Sequence, residues 1–98
     1  MLSKQYYIYI MTNGNNYVLY TGVTNNLIKR VWEHKQGKGS MFTSKYKITK
    51  LVYFEIFNNI LEAIKREKQI KAGSRKKKLE LIAKLNQNYE DLYFRIIK

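Results

Sequence analysis

The chain has 98 residues, no cysteine and one histidine, and its 19 Lys and Arg against seven Asp and Glu give a formal charge of +12. This excludes a disulfide framework, a thiolate zinc centre and a His-rich metal site, so any metal must be held mainly by carboxylate and water, which favours Mg²⁺ or Mn²⁺. Hydrophobic content of 45% and aromatic content of 14% are those of a folding chain, and so large an excess of one sign points to a polyanionic partner.

The length suits one domain spanning 1–98, with 85–98 as a C-terminal extension packing on it. No apolar run approaches the ~20 residues that span a bilayer, and no signal-peptide pattern precedes Tyr6. A cytoplasmic protein with no membrane partner is expected. The sequence carries no signal of oligomeric state.

In chain order, residues 5–12 (QYYIYIMT) predict a strand that is apolar on both faces and therefore central. Asn13-Gly14-Asn15-Asn16 predicts a turn, Asn-Gly being a strong hairpin signal. Residues 17–23 predict a second strand antiparallel to the first, a pairing that brings Tyr9 and Tyr20 side by side. Gly22 loosens its end, and Thr24 or Asn25 can cap a helix of about 25–36. On that helix Leu27, Ile28, Val31 and Trp32 make an apolar face, with Arg30 and His34 one turn apart on its border.

The next stretch, GKGSMFTSKYKITK, reads as a loop of glycines, lysines and aromatics. It lacks the Gly-x4-Gly-Lys-Ser/Thr pattern of a phosphate-binding loop. Lys38, Lys45 and Lys47 among Phe42 and Tyr46 suit contact with a nucleic-acid backbone and a splayed base. Residues 50–57 predict a third strand, and 60–72 a helix closed by Gly73 in the left-handed position that follows many helices.

On that helix Ile60, Ala63, Ile64 and Ile70 form an apolar stripe, with Glu67 near its middle. An acid there is either paired with a cation, Lys71 being one turn away, or set at a site. Ser74 can cap a helix of about 75–85, with Leu79, Ile82, Ala83 and Leu85 as its buried face. Its first turn, Arg75-Lys76-Lys77-Lys78, opposes the helix dipole at a cost of about a few tenths of a kcal/mol per residue. Phosphate nearby would explain that placement. Asn86-Gln87-Asn88 reads as a linker, and residues 89–98 as a short terminal helix.

Together these pieces resemble the GIY-YIG nuclease superfamily, in particular its small bacterial members. The first motif appears as Tyr7-Ile8-Tyr9, with tyrosine in place of glycine, and the second as Tyr20-Thr21-Gly22, with threonine in place of isoleucine. Arg30 and His34 match the helix signature, and Ala63-x3-Glu67 looks like the segment carrying the family's metal-binding glutamate.

The resemblance implies an α+β fold, a three-stranded mainly antiparallel sheet flanked by helices. It implies divalent-metal-dependent phosphodiester hydrolysis, with DNA first among substrates and repair or branched structures within reach. Glu67 would hold one Mg²⁺ or Mn²⁺, and Arg30 would stabilise its carboxylate when no metal is bound. Tyr9 or Tyr20 would deprotonate the attacking water, Arg30 would hold the phosphate, and His34 would relay a proton or bind phosphate. Lys38, Lys45, Lys47, Lys71, Arg75, Lys76 and Lys77 would carry the nucleic acid. The alternative is a non-catalytic nucleic-acid-binding module of the same fold.

Overall fold

The computed structural model describes residues 4–97. Strands β1 (Tyr6–Thr12), β2 (Leu19–Thr24) and β3 (Lys50–Phe57) form one antiparallel sheet in the order β2-β1-β3. The expected central position of β1 holds. Its alternating side chains serve two cores: Ile8 and Ile10 pack with Val52, Ala63, Ile70 and Ile82, while Tyr9 and Met11 pack with Leu27, Val31, Leu51 and Leu92. A strand buried on both faces needs this continuous apolar run.

Helices α1 (Leu27–Lys35) and α5 (Tyr93–Ile96) cover the second core, and α3 (Ile60–Ala72) and α4 (Arg75–Leu85) the first. Between α1 and β3 lies a short helix, α2 (Met41–Lys45), in the stretch expected to be a loop. Ser40 starts it by accepting a hydrogen bond from the Thr43 N–H at 3.1 Å. The helix bounds shift elsewhere too. Asn26, rather than Thr24 or Asn25, caps α1; Thr24 instead accepts from the Asn26 N–H.

The hairpin also differs from expectation. The last β1–β2 pair is Thr12 with Leu19, so the connection is longer than a two-residue Asn-Gly turn. Asn16, not Gly14, takes the left-handed conformation, at φ 61°. Asn13 shapes the loop, its side-chain oxygen accepting from the Tyr17 and Val18 N–H groups at 2.8 and 3.0 Å.

Packing redraws several helical faces. On α1, Ile28 and Trp32 are exposed and His34 is buried with Leu27 and Val31. On α3, Ala63 and Ile70 are buried while Ile60 is exposed. Gly73 ends α3 in an extended conformation, at φ −75° and ψ 163°, and not in the left-handed one. On α4, Ile82 is buried and Leu81 joins the core, whereas Ala83 and Leu85 lie outside.

Asn86, expected in a linker, is buried. It donates to the carbonyls of Val52 and Glu90 at 3.2 and 2.7 Å. Arg66 ties α3 to β3 through two hydrogen bonds to Glu55, at 3.0 and 2.9 Å, a fork geometry that a lysine could not reproduce. No described helix is long and apolar enough to cross a membrane.

Candidate active site

Tyr9 lies opposite Gly22 in the β1–β2 register. A Cβ at residue 22 would sit 2.5 Å from the Tyr9 Cζ and Oη, so only glycine lets that ring lie across β2. Tyr20, two residues earlier on the same face of β2, places its ring centroid 6.3 Å from that of Tyr9. The His34 ring completes the group, 5.9 Å from Tyr9 and 5.5 Å from Tyr20.

Both nitrogens of the His34 ring have hydrogen-bond partners. The Tyr9 Oη is 3.2 Å from His34 Nε2, and His34 Nδ1 is 3.2 Å from Thr43 Oγ1. Burial pushes the Tyr9 pKa far above its ordinary value, the neighbouring Tyr20 adding to the effect and Arg30 opposing it. Burial, then the Arg30 charge, lowers that of His34. At neutral pH the pair is therefore a phenol and a neutral imidazole.

A buried phenol donates its one proton where it can; Tyr9 thus donates to Nε2. The proton of the imidazole then sits on Nδ1 and is donated to Thr43 Oγ1, whose own hydroxyl can donate to the Ser40 carbonyl at 3.3 Å. Gly39 closes this corner: a Cβ there would come within 2.0 Å of His34 Nδ1.

Arg30 and Glu67 both act electrostatically on Tyr9, although Glu67 comes from α3 in the other helical layer. Arg30 is partly exposed and makes a loose 3.8 Å contact with Glu33. Glu67, only 13% exposed, is paired with Lys71 at 2.7 Å. The expectation that Arg30 neutralises Glu67 therefore fails, because the i, i+4 spacing on α3 brings the Lys71 ammonium in first.

Among the described residues no three His, Asp or Glu cluster as a metal cage. A lone, nearly buried carboxylate suits a hard ion that keeps most of its own water, and so fits Mg²⁺ or Mn²⁺ but not Zn²⁺.

The basic residues singled out in the sequence fall into two groups. Lys38 and Lys45 line a shallow depression with Gly37, Ser40, Met41 and Ser44, and Lys47 follows in a left-handed conformation at φ 53°. Arg75 stands 5.7 Å over the exposed Tyr17 ring, which joins the start of α4 to the β1–β2 turn. Lys76 beside it is exposed, and Lys77 lines a groove between α3 and α4 with Arg66, Lys78 and Lys84. Lys71 is engaged by Glu67.

Sequence reasoning missed Thr43 and Gly39. The only local signal of Thr43's position was the Ser40–Thr43 spacing of a helix cap.

A family model described as the GIY-YIG catalytic domain matches residues 5–80. The chain is similar to the UPF0213 protein CPE1444 of Clostridium perfringens, with 45% identity over 87 residues, covering 86% of this chain and 92% of that one. It is also similar to the UPF0213 protein SSP2268 of Staphylococcus saprophyticus, with 42% identity over 79 residues, 81% of this chain and 95% of that one. The solution NMR structure of the UPF0213 protein BH0048 from Bacillus halodurans superimposes with a TM-score of 0.57 at 31% identity, covering 89% of this chain and 92% of that one.

Proposed function

This chain belongs to the GIY-YIG family, a family of nucleases, and from that premise we propose that it hydrolyses phosphodiester bonds of DNA with one divalent cation. The observation that carries the proposal is the Tyr9–His34–Thr43 chain of hydrogen bonds beside Arg30. A phenol of raised pKa is a poor base alone. Linked to a neutral imidazole it becomes a conduit: Tyr9 Oη accepts a proton from the attacking water while passing its own to His34 Nε2. Thr43 holds the ring so that Nε2 faces Tyr9. Tyr20 walls the pair from solvent and can orient the water.

Arg30 binds the scissile phosphate through its planar guanidinium and stabilises the charge that grows on it. Glu67 would hold the Mg²⁺ or Mn²⁺, which would supply Lewis-acid stabilisation of the charge developing on the phosphate. Lys71, paired with Glu67 at 2.7 Å, would have to release that carboxylate for it to hold an ion. Lys38, Lys45, Lys47, Arg75, Lys76 and Lys77 track the backbone.

A non-catalytic binding module of the same fold is the second reading, and the Glu67–Lys71 pair favours it, since that carboxylate already has a partner. Glu67→Gln separates the two. It keeps the volume and removes the charge, so cleavage of a panel of duplex, single-stranded and branched DNA with Mg²⁺ should fall by at least a hundredfold. Binding in EDTA should hold or tighten. Equal cleavage by parent and variant removes Glu67 from the machinery; no cleavage by the parent with either Mg²⁺ or Mn²⁺ rejects the enzyme.

A further inference from the structure

Helix α2 buries one residue, Thr43. Its apolar side chains point outward: Met41 is 91% exposed, Phe42 46% and, just beyond the helix end, Tyr46 41%. The Phe42 and Tyr46 rings lie 4.9 Å apart and Phe42 lies 6.3 Å from Tyr20. With Tyr20 5.5 Å from His34, a file of aromatic rings runs from the buried imidazole to the surface. Ammonium groups accompany it: Lys45 stands 5.4 Å over the Tyr46 ring, and Lys38 shares a depression with Lys45 and Met41.

Core packing does not account for this arrangement, because the rings the core needs are turned inward and these are not. Half-exposed aromatic faces interleaved with lysines, on a chain of charge +12, are complementary to a ligand that alternates flat apolar rings with phosphates. In a duplex both faces of each base are covered by its stacked neighbours. Only an unpaired nucleotide has a face to offer.

We propose that Phe42 and Tyr46 form a stacking subsite for unpaired bases next to the phosphodiester handled by Tyr9, His34 and Arg30, which makes single-stranded or locally unpaired nucleic acid the substrate class. Its position beside the scissile bond rests on the phosphodiesterase reading above; the stacking itself does not. Because Thr43 lies on the same short helix and bonds His34, a base seated on Phe42 also steadies the imidazole.

The test uses the 98-residue protein in EDTA and fluorescein-labelled DNA, one probe a mixed-sequence single strand and the other a blunt-ended two-strand duplex of equal length with no unpaired nucleotide. Anisotropy should show that Phe42→Leu and Tyr46→Leu each weaken single-strand binding roughly five- to a hundredfold. Duplex binding should change less than about twofold and the salt slope should stay the same. Phe42→Trp should restore the single-strand affinity. Should Phe42→Leu melt early, Tyr46→Leu and Phe42→Trp carry the comparison.

Equal losses on both probes, or none on either, overturn the subsite. With Mg²⁺, an abasic nucleotide walked along the strand should block cleavage by the parent most strongly at one position beside the cut, and Phe42→Leu should erase that dependence. A parent with no such position overturns the placement next to the scissile bond. If no cleavage occurs while ring-dependent single-strand binding persists, the phosphodiesterase reading falls and the stacking subsite stands.

Discussion

Gly22 and His34 set the chemistry at the scale of single residues. A methyl group at residue 22 would strike the Tyr9 ring at 2.5 Å, and that ring is 2% exposed, so moving it means displacing its packed neighbours. Gly22→Ala should therefore destabilise the fold by about 1–3 kcal/mol, read from the urea midpoint, and lower cleavage more than binding as Tyr9 shifts away from His34. Wild-type stability would show that the ring yields freely. His34 predicts a pH dependence. Burial and Arg30 hold its pKa below 6.5, so the folded state keeps it neutral where the unfolded chain would protonate it. That contribution is fully present above pH 6.5 and is lost as pH falls from there toward the lowered value. Urea midpoints measured on either side of pH 6.5 should fall on acidification, and His34→Gln should flatten that fall.

Among the elements, the segment after α4 is bound by polar contacts as much as by apolar ones. Asp91 accepts from the Leu51 N–H at 3.2 Å and pairs with Lys35, while the Leu92 N–H donates to the Leu51 carbonyl at 2.8 Å. The segment thus satisfies backbone groups on the open edge of β3, which would otherwise be free to pair with another chain. Lys35 and Asp91 are each about a fifth exposed, so removing one leaves the other poorly solvated. Asp91→Ala should cost about 2–4 kcal/mol and speed amide hydrogen exchange at Leu51. Unchanged exchange there would mean that Leu92 alone fastens the segment. The short α2 shows the same dependence on context: five residues are too few for a stable helix in isolation, and it persists because Thr43 is anchored in the core beside His34.

For the whole molecule, the charge of +12 dominates encounter with any polyanion. Binding to a generic DNA should weaken steeply with salt, with a log–log slope of roughly 0.9 per phosphate contacted on duplex. Lys76→Ala and Lys77→Ala should each reduce that slope by about one contact without changing which substrate is preferred. A flat salt response would remove the electrostatic argument for both the catalytic and the binding reading.

Strand period and turn residues were enough to read three strands, the central place of β1 and the β1–β2 pairing, because an all-apolar run and the Asn-rich turn are local signals. The grouping of Tyr9 and Tyr20, which His34 joins, was legible for the same reason: hairpin register and helical spacing bring residues together over short range. Other features depended on which surface each element meets. Periodicity put Ile28 and Trp32 on the apolar face of α1 and His34 on its border; packing against β1, β2 and α2 buried His34 instead and left the other two outside. It marked Glu67 as an acid in an apolar stripe, either paired with Lys71 one turn away or set at a site, and the structure pairs the two at 2.7 Å. Nor could it show that Thr43 holds the imidazole or that Asn86 bonds Val52. Those are contacts between side chains and distant segments, and they exist only once the layers have closed around the sheet.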